Sequence, residues 1–150
     1  MGFNPHVTVA AIVERDGRFL FVEERKAGVL VLNQPAGHVE DGESLLDAVV
    51  RETLEETGWR VTPARLVGVY RWRSPRDGET FFRFCFAARA LAHEAERRLD
   101  PDIERALWLS AEEFERESHR QRSPLVGRGF KDYLSGISYP IELIKDVVND

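Results

Sequence analysis

The chain has 150 residues, enough for one domain spanning 1–150, and its 43% hydrophobic and 31% charged residues are typical of a globular protein. A net charge of −5 argues against a nucleic-acid polymer as partner, and no apolar run approaches the roughly 20 residues that a membrane-spanning helix needs. The single cysteine, Cys85, excludes a disulfide within the chain and favours a reducing compartment, so we expect a cytoplasmic protein.

The first predicted elements form a β-hairpin. In the stretch VTVAAIVERDGRFLFVEE, two β-rich runs flank Asp16 and Gly17, and this dipeptide suits a tight turn with positive φ. The following stretch, KAGVLVLNQPAG, predicts a loop, a short strand and a second loop, in which Pro35 and Gly37 interrupt regular structure.

From Glu43 to Thr57 the hydrophobic period changes to that of a helix, and Gly58 is a suitable residue to end it. Four residues at three- and four-residue spacing predict the face that packs on the core: Leu46, Val49, Val50 and Thr53. We expect three glutamates to lie together on the opposite face: Glu52, Glu55 and Glu56.

The second half of the chain predicts two long strands, a shorter strand and two helices. The strands correspond to ARLVGVYRWRS, ETFFRFCFAARAL and the end of DPDIERALWL. Ser110 and Glu113 form a capping box at the start of one helix, and Ser123 with Pro124 begins the next, which Gly136 closes. The order of elements indicates an α/β (α+β) protein, a three-layer α/β/α sandwich around a mixed central sheet.

Three glutamates on one helical face repel one another unless a cation lies among them. Hard divalent cations take oxygen ligands, and Mg²⁺ commonly binds a few carboxylates together with phosphate oxygens of a substrate. The loop from Pro35 to Gly42 would bring backbone groups to the start of the helix, and Gly37 would let the chain approach the cation closely. For the glutamates alone, a solvated acidic face is the more common interpretation.

The spacing of glycine and charged residues around this helix is more specific than the glutamates alone. It reads Gly37, five residues, Glu43, seven residues, Arg51-Glu52, two residues, Glu55-Glu56, one residue, Gly58. The pattern matches the Nudix box, and the chain resembles the Nudix hydrolase family. Thr53 stands where the family prefers an aliphatic residue, and Ala36 where it often has a second glycine.

The resemblance implies a role for each matched position. It implies that the cofactor, Mg²⁺ or alternatively Mn²⁺, is bound by Gly37, Glu52, Glu55 and Glu56. It implies that Glu43 and Arg51 form a buried ion pair that fixes the loop–helix–loop. It also implies that water hydrolyses a pyrophosphate linkage, with one of the glutamates or Asp102 as the catalytic base.

Segments along nearly the whole chain, from PHVTVAAIVERDGRFLFVEE to SGISYPIELI, look like the phosphatase NudJ branch of the family. This resemblance implies a small phosphorylated substrate, a nucleoside di- or triphosphate or a thiamine-type pyrophosphate, with release of inorganic phosphate. Two alternatives stay open. One is a Nudix pyrophosphohydrolase for nucleotide sugars, dinucleoside polyphosphates or oxidised deoxynucleoside triphosphates, and the other is a silent ligand-binding regulator. A monomer and a homodimer are both compatible with the sequence.

Further candidates lie outside the motif. The segment DPDIERALW offers Asp100, Asp102 and Glu104 for a later acidic position of the family. Asp102 matches that position best, as metal ligand or catalytic base, and a plain polar loop is the alternative. Arg83 interrupts the aromatic run FFRFCF, and Arg83 and Arg122 are candidates for binding substrate phosphate, with a surface role as the alternative. His6 could line the mouth of the sheet near the substrate. A basic cluster beside Trp72 favours a solvated hairpin tip over a platform for phosphate or base: Arg71, Arg73 and Arg76.

Overall fold

The computed structural model describes residues 2–148, in which eight strands and three α-helices are present. In chain order the strands are β1 (His6–Arg15), β2 (Arg18–Lys26), β3 (Val29–Asn33), β4 (Ala36–His38), β5 (Trp59–Arg73), β6 (Thr80–His93), β7 (Ile103–Leu109) and β8 (Tyr139–Pro140). The helices are α1 (Leu45–Thr57), α2 (Ala111–Glu117) and α3 (Pro124–Leu134). None of the helices in this range is long and apolar enough to span a lipid bilayer.

The strands form one mixed sheet in the order β3-β2-β1-β6-β5-β8, with β4 paired to β1 and β7 paired to β2. The parallel pair is β1 with β6, and β5 with β6 is the long antiparallel pair. The predicted hairpin is confirmed at Asp16 and Gly17, which both have positive φ. Beyond two residue pairs next to this turn, β1 and β2 diverge, because β2 pairs with β3 and β7 instead.

β1 lies between two hydrophobic cores because its side chains alternate between the two faces of the sheet. The core on the α1 side includes Val9, Ala11, Val13, Ala48 and Val49. The core on the α2 and α3 side includes Ala10, Ile12, Cys85, Phe114 and Phe130. Helices therefore cover both faces, and the predicted α/β/α sandwich with a mixed sheet is confirmed.

Two local predictions differ from the structure. Helix α1 begins at Leu45 rather than Glu43, because Ser44 is its N-cap and accepts a hydrogen bond from the Asp47 backbone N–H (3.1 Å). Strand β4 lies within a stretch predicted as loop, because its three residues are ordered by pairing with β1, which is distant in sequence. This pairing fixes the segment before α1 against the centre of the sheet.

Candidate active site

A cleft of about 360 Å³ is bounded by α1 and β4, by β2 and β3, by β5 and β6, and by the segment that precedes α3. Its walls carry acidic, basic and aromatic side chains. Those that the following paragraphs use are Glu24, Asn33, Glu52, Glu56, Trp72, Phe81, Arg83, Asp100, Asp102 and Arg122.

An acidic cluster forms the α1 end of this cleft. Carboxylate oxygens of Glu52, Glu55 and Asp100 lie within 4.8 Å of one another. Glu52 and Glu55 are brought together by their three-residue spacing on α1. Asp100 is attached to the same helix by the hydrogen bond that its backbone N–H donates to the Glu55 carbonyl oxygen (3.0 Å). Burial raises the pKa of Glu52, against the hydrogen bond from Arg51 that lowers it.

Glu56 lines the cleft near Glu52, but it is buried, so the prediction that it lies on the face of α1 opposite the core is wrong. It is 8% exposed, and it follows Val49 by seven residues, which returns it to the buried stripe after about two turns. Its Oε1 accepts a hydrogen bond from the Ala36 backbone N–H (3.0 Å). Burial raises the pKa of Glu56 to about 9, and the nearby carboxylates of Glu24 and Glu52 add to the rise.

Arg51 connects the loop before α1 to the acidic cluster. Its Nε donates to Glu43 Oε2 (2.6 Å) and its Nη2 to Glu43 Oε1 (2.9 Å), while Nη1 donates to Glu52 Oε1 (2.8 Å) and Glu55 Oε1 (3.0 Å). The hydrogen bonds between Arg51 and Glu43 lower the pKa of Glu43 and raise that of Arg51. The pair is only partly buried, since 23% of the Arg51 side chain and 14% of the Glu43 side chain are exposed.

Gly37 lies directly against the carboxylate of Glu52. A Cβ built at this position overlaps the carboxylate, so any larger residue would displace Glu52. The φ of Gly37 is not among the positive values of the chain, so this glycine is needed for close approach and not for an unusual backbone conformation. Arg51 also holds this loop, because its Nη2 donates to the His38 carbonyl oxygen (3.1 Å).

These residues fit a hard divalent cation. The donor set of Glu52, Glu55 and Asp100 consists of carboxylate oxygens, which Mg²⁺ and Mn²⁺ accept, and Gly37 leaves the Glu52 carboxylate unobstructed. Glu56 is outside this three-residue group in the part of the chain described, although it lines the same end of the cleft.

Asp102 and Asp100 lie on opposite sides of Pro101, but only Asp100 joins the glutamates. Asp102, which the sequence favoured, is an exposed residue that lines the cleft. Glu104, the third acid of the segment, pairs with Arg25 at the surface (2.8 Å). The sequence does not distinguish the three acids. Asp100 is held near the glutamates by the hydrogen bond that its backbone N–H donates to Glu55 in α1, and α1 is distant along the chain.

Arg83 lies at the floor of the cleft and is 5% exposed, so the alternative of a surface arginine is wrong. Its Nη2 donates to Asn33 Oδ1 (3.1 Å) and to Gln34 Oε1, and burial lowers the pKa of Arg83. Arg122 is exposed and lines the wall next to α3, where its backbone N–H donates to the Leu32 carbonyl oxygen (2.7 Å). The two arginines thus face one cleft from different sides.

Sequence reasoning did not single out Glu24 and Asn33. Both are buried polar residues that line the cleft, and Asn33 Nδ2 donates to Glu24 Oε1 (2.8 Å). A signal was present in LVLNQ and FLFVEE, where polar residues directly follow apolar strand residues. Asn33 is the last residue of β3, whereas Glu24 lies within β2.

Next to His38, which lines the cleft, His6 connects β1 to two neighbouring segments but does not itself line the cleft. Its Nδ1 lies 2.8 Å from His38 Nε2, and its Nε2 is paired with Glu79 Oε2. Burial lowers the pKa of His38, and the neighbouring His6 adds to this. The basic residues near Trp72 fit the predicted hairpin tip, since all three are exposed: Arg71, Arg73 and Arg76.

Comparison with known proteins finds similarity to one family along most of the chain. The NUDIX domain family matches residues 3–128. Phosphatase NudJ of Escherichia coli K12 is 43% identical over 144 residues, covering 96% of this chain and 93% of the relative. A NUDIX hydrolase of Nitrosomonas europaea superimposes with a TM-score of 0.93 at 41% identity, covering 96% of this chain and 98% of that structure. The MutT protein of Methanosarcina mazei Go1, with a TM-score of 0.67 and 20% identity over 89% of this chain and 96% of its own, shares the fold.

Proposed function

Because the chain belongs to the Nudix hydrolase family, we propose that it is a Mg²⁺-dependent phosphohydrolase that releases inorganic phosphate from nucleoside di- and triphosphates and from thiamine-type pyrophosphates. The broader activity, hydrolysis of phosphoanhydride bonds in small phosphorylated substrates, is that of the family and of its NudJ-like phosphatases. The observation that best supports the narrower assignment is the 43% identity to Phosphatase NudJ across 96% of this chain.

A divalent cation, Mg²⁺ with Mn²⁺ as a substitute, would be held by Glu52, Glu55 and Asp100, with Glu56 and the backbone of Gly37 beside them. When bound, such a cation neutralises phosphoryl charge and makes water a stronger nucleophile at neutral pH. Arg51 orients two of the ligands, because its Nη1 donates to both Glu52 and Glu55.

The proton of the attacking water is removed by a carboxylate of the cleft, and we assign this to Asp102 or to a glutamate of α1. Asp102 lines the cleft, and within residues 2–148 its carboxylate has no hydrogen-bond partner that would occupy it. The arginines have a different task, which is to bind phosphate: Arg83 from the floor and Arg122 from the wall next to α3.

We further propose a preference for substrates with a free terminal phosphate. An arginine can hold such a group through two charge-assisted hydrogen bonds, and a sugar or second nucleoside attached to that phosphate removes the free end. Arg83 is suited to this because Asn33 and Gln34 fix the orientation of its guanidinium group.

The test is phosphate release, with and without Mg²⁺, from a nucleoside diphosphate, a nucleoside triphosphate and a thiamine-type pyrophosphate. ADP-ribose and a dinucleoside polyphosphate serve as substrates capped at both ends. We expect efficient, Mg²⁺-dependent release from the uncapped compounds and a raised KM for these compounds in Arg83→Ala, with the exposed Arg128→Ala as control. Efficient cleavage of the capped compounds with little phosphate from the uncapped ones would move the protein to another Nudix substrate class. Binding without turnover of any of them would make it a ligand-binding regulator.

Three further properties belong to this proposal. We propose that residues 1–150 form one domain, of which residues 1, 149 and 150 lie outside the described range. We propose a cytoplasmic location, because the one cysteine, Cys85, is a buried free thiol that gains nothing from an oxidising compartment. A monomer or a homodimer is proposed as the working form, and sedimentation equilibrium distinguishes the two.

A further inference from the structure

Three rings form a row across three adjacent strands, and two of them, Phe81 and Trp72, line the cleft. His6 on β1 is in register with Phe81 on β6, and Phe81 is in register with Trp72 on β5. The rings of His6 and Phe81 are stacked, with centroids 4.4 Å apart and planes 12° apart. The centroids of Phe81 and Trp72 are 5.7 Å apart. Phe81 is thus covered by His6 on one side, and Trp72 is the end of the row.

Hydrogen bonds of His6 fix the position of the row of rings. His6 is hydrogen-bonded to His38 on β4 and to Glu79, just before β6, so it cannot swing away from Phe81. The ring of Phe81 is consequently supported from behind, and its neighbour Trp72 is partly exposed and lines the cleft. An aromatic side chain that is held rigidly and left partly open to a binding cleft offers a flat apolar face at little entropic cost.

Within the row, Trp72 is the ring farthest from the acidic cluster. Gly37, which contacts Glu52, is on β4, and Trp72 is on β5, with β1 and β6 between them. Three strand spacings of about 4.8 Å separate β4 from β5, which gives roughly 14 Å. An extended molecule made of two phosphates, a ribose and a base covers a distance of this order. Arg83 is two residues from Phe81 on the same face of β6, and so lies between the two ends.

We propose that Trp72, positioned by Phe81 and His6, is the stacking platform for the heterocyclic ring of the substrate, so that the site selects pyrophosphates attached to a planar aromatic ring. The proposal rests on the proposed function and adds the feature that separates nucleotides and thiamine-type compounds from pyrophosphates without a ring. Stacking is tolerant of ring identity because every heterocyclic base has a π-face. One aromatic side chain can therefore bind the rings of both nucleotides and thiamine-type pyrophosphates.

The kinetic test compares ADP with inorganic tripolyphosphate, which has anhydride bonds but no ring. Trp72→Leu removes the aromatic face and keeps an apolar side chain, and Trp72→Phe restores a smaller aromatic face. Trp59→Leu is the matched control, since Trp59 is on the same strand and packs on the α1-side core, away from the cleft. We expect the ratio of KM for ADP to KM for tripolyphosphate to rise roughly tenfold in Trp72→Leu, to recover in Trp72→Phe, and to keep the parent value in Trp59→Leu.

A binding measurement gives a readout that does not depend on turnover. In the Trp59→Phe/Trp108→Phe variant, Trp72 is the remaining tryptophan of the chain, and its fluorescence is titrated with AMP and with ribose 5-phosphate. AMP has the ring but no anhydride, and ribose 5-phosphate lacks the ring. Quenching by AMP alone supports the platform. Equal responses to both, or an unchanged KM ratio in Trp72→Leu, overturn it. A parent enzyme that cleaves neither ADP nor tripolyphosphate counts against the proposed function, and the titration still decides the role of Trp72.

Discussion

Glu55 and Glu56 are neighbours in sequence, but they lie in different surroundings. The side chain of Glu55 is 32% exposed and is hydrogen-bonded to Arg51, whereas Glu56 is buried next to the backbone of Ala36. A partly exposed carboxylate can exchange a protein partner for a cation. A buried one has to lose its proton before it can interact with a cation.

At the residue scale, Glu55→Gln is expected to reduce kcat/KM at least about 100-fold while the fold is kept, which corresponds to about 2.7 kcal/mol of transition-state stabilisation. Gln keeps the shape of the side chain but removes a negative charge from the donor set. Steady-state kinetics at saturating Mg²⁺ measure the loss, with Glu104→Gln at the surface as control. Near-normal turnover of Glu55→Gln would remove Glu55 from the metal site.

The raised pKa of Glu56, about 9 in the folded protein, predicts how stability changes with pH in the presence of EDTA. In unfolded chains a glutamate has a pKa near 4.3, so between about pH 4.3 and 9 the folded state keeps a proton that the unfolded state loses. Stability is therefore highest at the acidic end of this window and falls as pH rises. Thermal melts from pH 5 to 9 should show the fall in the parent and a flatter profile in Glu56→Gln. Parallel profiles would mean that Glu56 is ionised in the folded protein at neutral pH.

The positions of these residues can be predicted from the sequence only when their partners are close along the chain. Glu43, Arg51, Glu52 and Glu55 are related by the geometry of one loop and one helix, so their spacing in the sequence is enough to bring them together. The burial of Glu56 is within reach of the same helical geometry, because Glu56 follows the buried Val49 by seven residues. Asp100 was beyond reach, since a backbone contact between distant segments places it.

At the scale of elements, α1 and the segment before it depend on one arginine. Arg51 has carboxylate partners on both, and Glu40 adds a further contact at 3.4 Å. Removal of the Arg51 guanidinium group leaves several carboxylates facing one another with no positive charge between them. The arginine therefore stabilises the same acidic arrangement that a divalent cation would bind.

Arg51→Ala is expected to cost about 3 kcal/mol of unfolding free energy, the low end of the range for a broken ion pair, because the pair is partly exposed. Urea titrations of the two variants in EDTA provide the comparison. Glu55→Gln should be no less stable than the parent, since it relieves repulsion. The account of Arg51 would be contradicted if its variant unfolded at the same urea concentration as Glu55→Gln.

Elements with a strong local pattern agree with the sequence prediction, and those that rely on distant partners do not. The hairpin at Asp16-Gly17, helix α1 and the capping box of Ser110 and Glu113 are all encoded within a few residues. Strand β4 has only three residues and forms because β1 pairs with it. The parallel pairing of β1 with β6 has no local signal at all.

At the scale of the whole molecule, the negative net charge is distributed unevenly. The chain carries −5 overall, and part of the excess is concentrated in the acidic cluster, where it destabilises the empty site. A ligand that binds only the folded state stabilises it in proportion to the logarithm of its concentration. The proposed metal site is thus connected to the stability of the entire fold.

Addition of Mg²⁺ to EDTA-treated protein should raise the free energy of unfolding by about 2.7 kcal/mol at a concentration a hundredfold above Kd. Differential scanning calorimetry at several Mg²⁺ concentrations measures this as a rising Tm. The rise should be largely absent in Glu52→Gln and in Asp100→Asn. An equal rise in these variants would place the stabilising cation elsewhere on the protein.

The parallel pairing of β1 with β6 also has a consequence for how the chain is made. During synthesis, β1 emerges before its long partner β6, which follows only after four further strands and helix α1 have been added. Until then an apolar strand has only the short pairings with β2 and β4, and pairings of such long range as that with β6 form slowly. Exposed strands of this kind are prone to aggregation. The yield of folded enzyme is therefore expected to increase when expression is slowed by low temperature, and a fragment that ends before β6 should not fold.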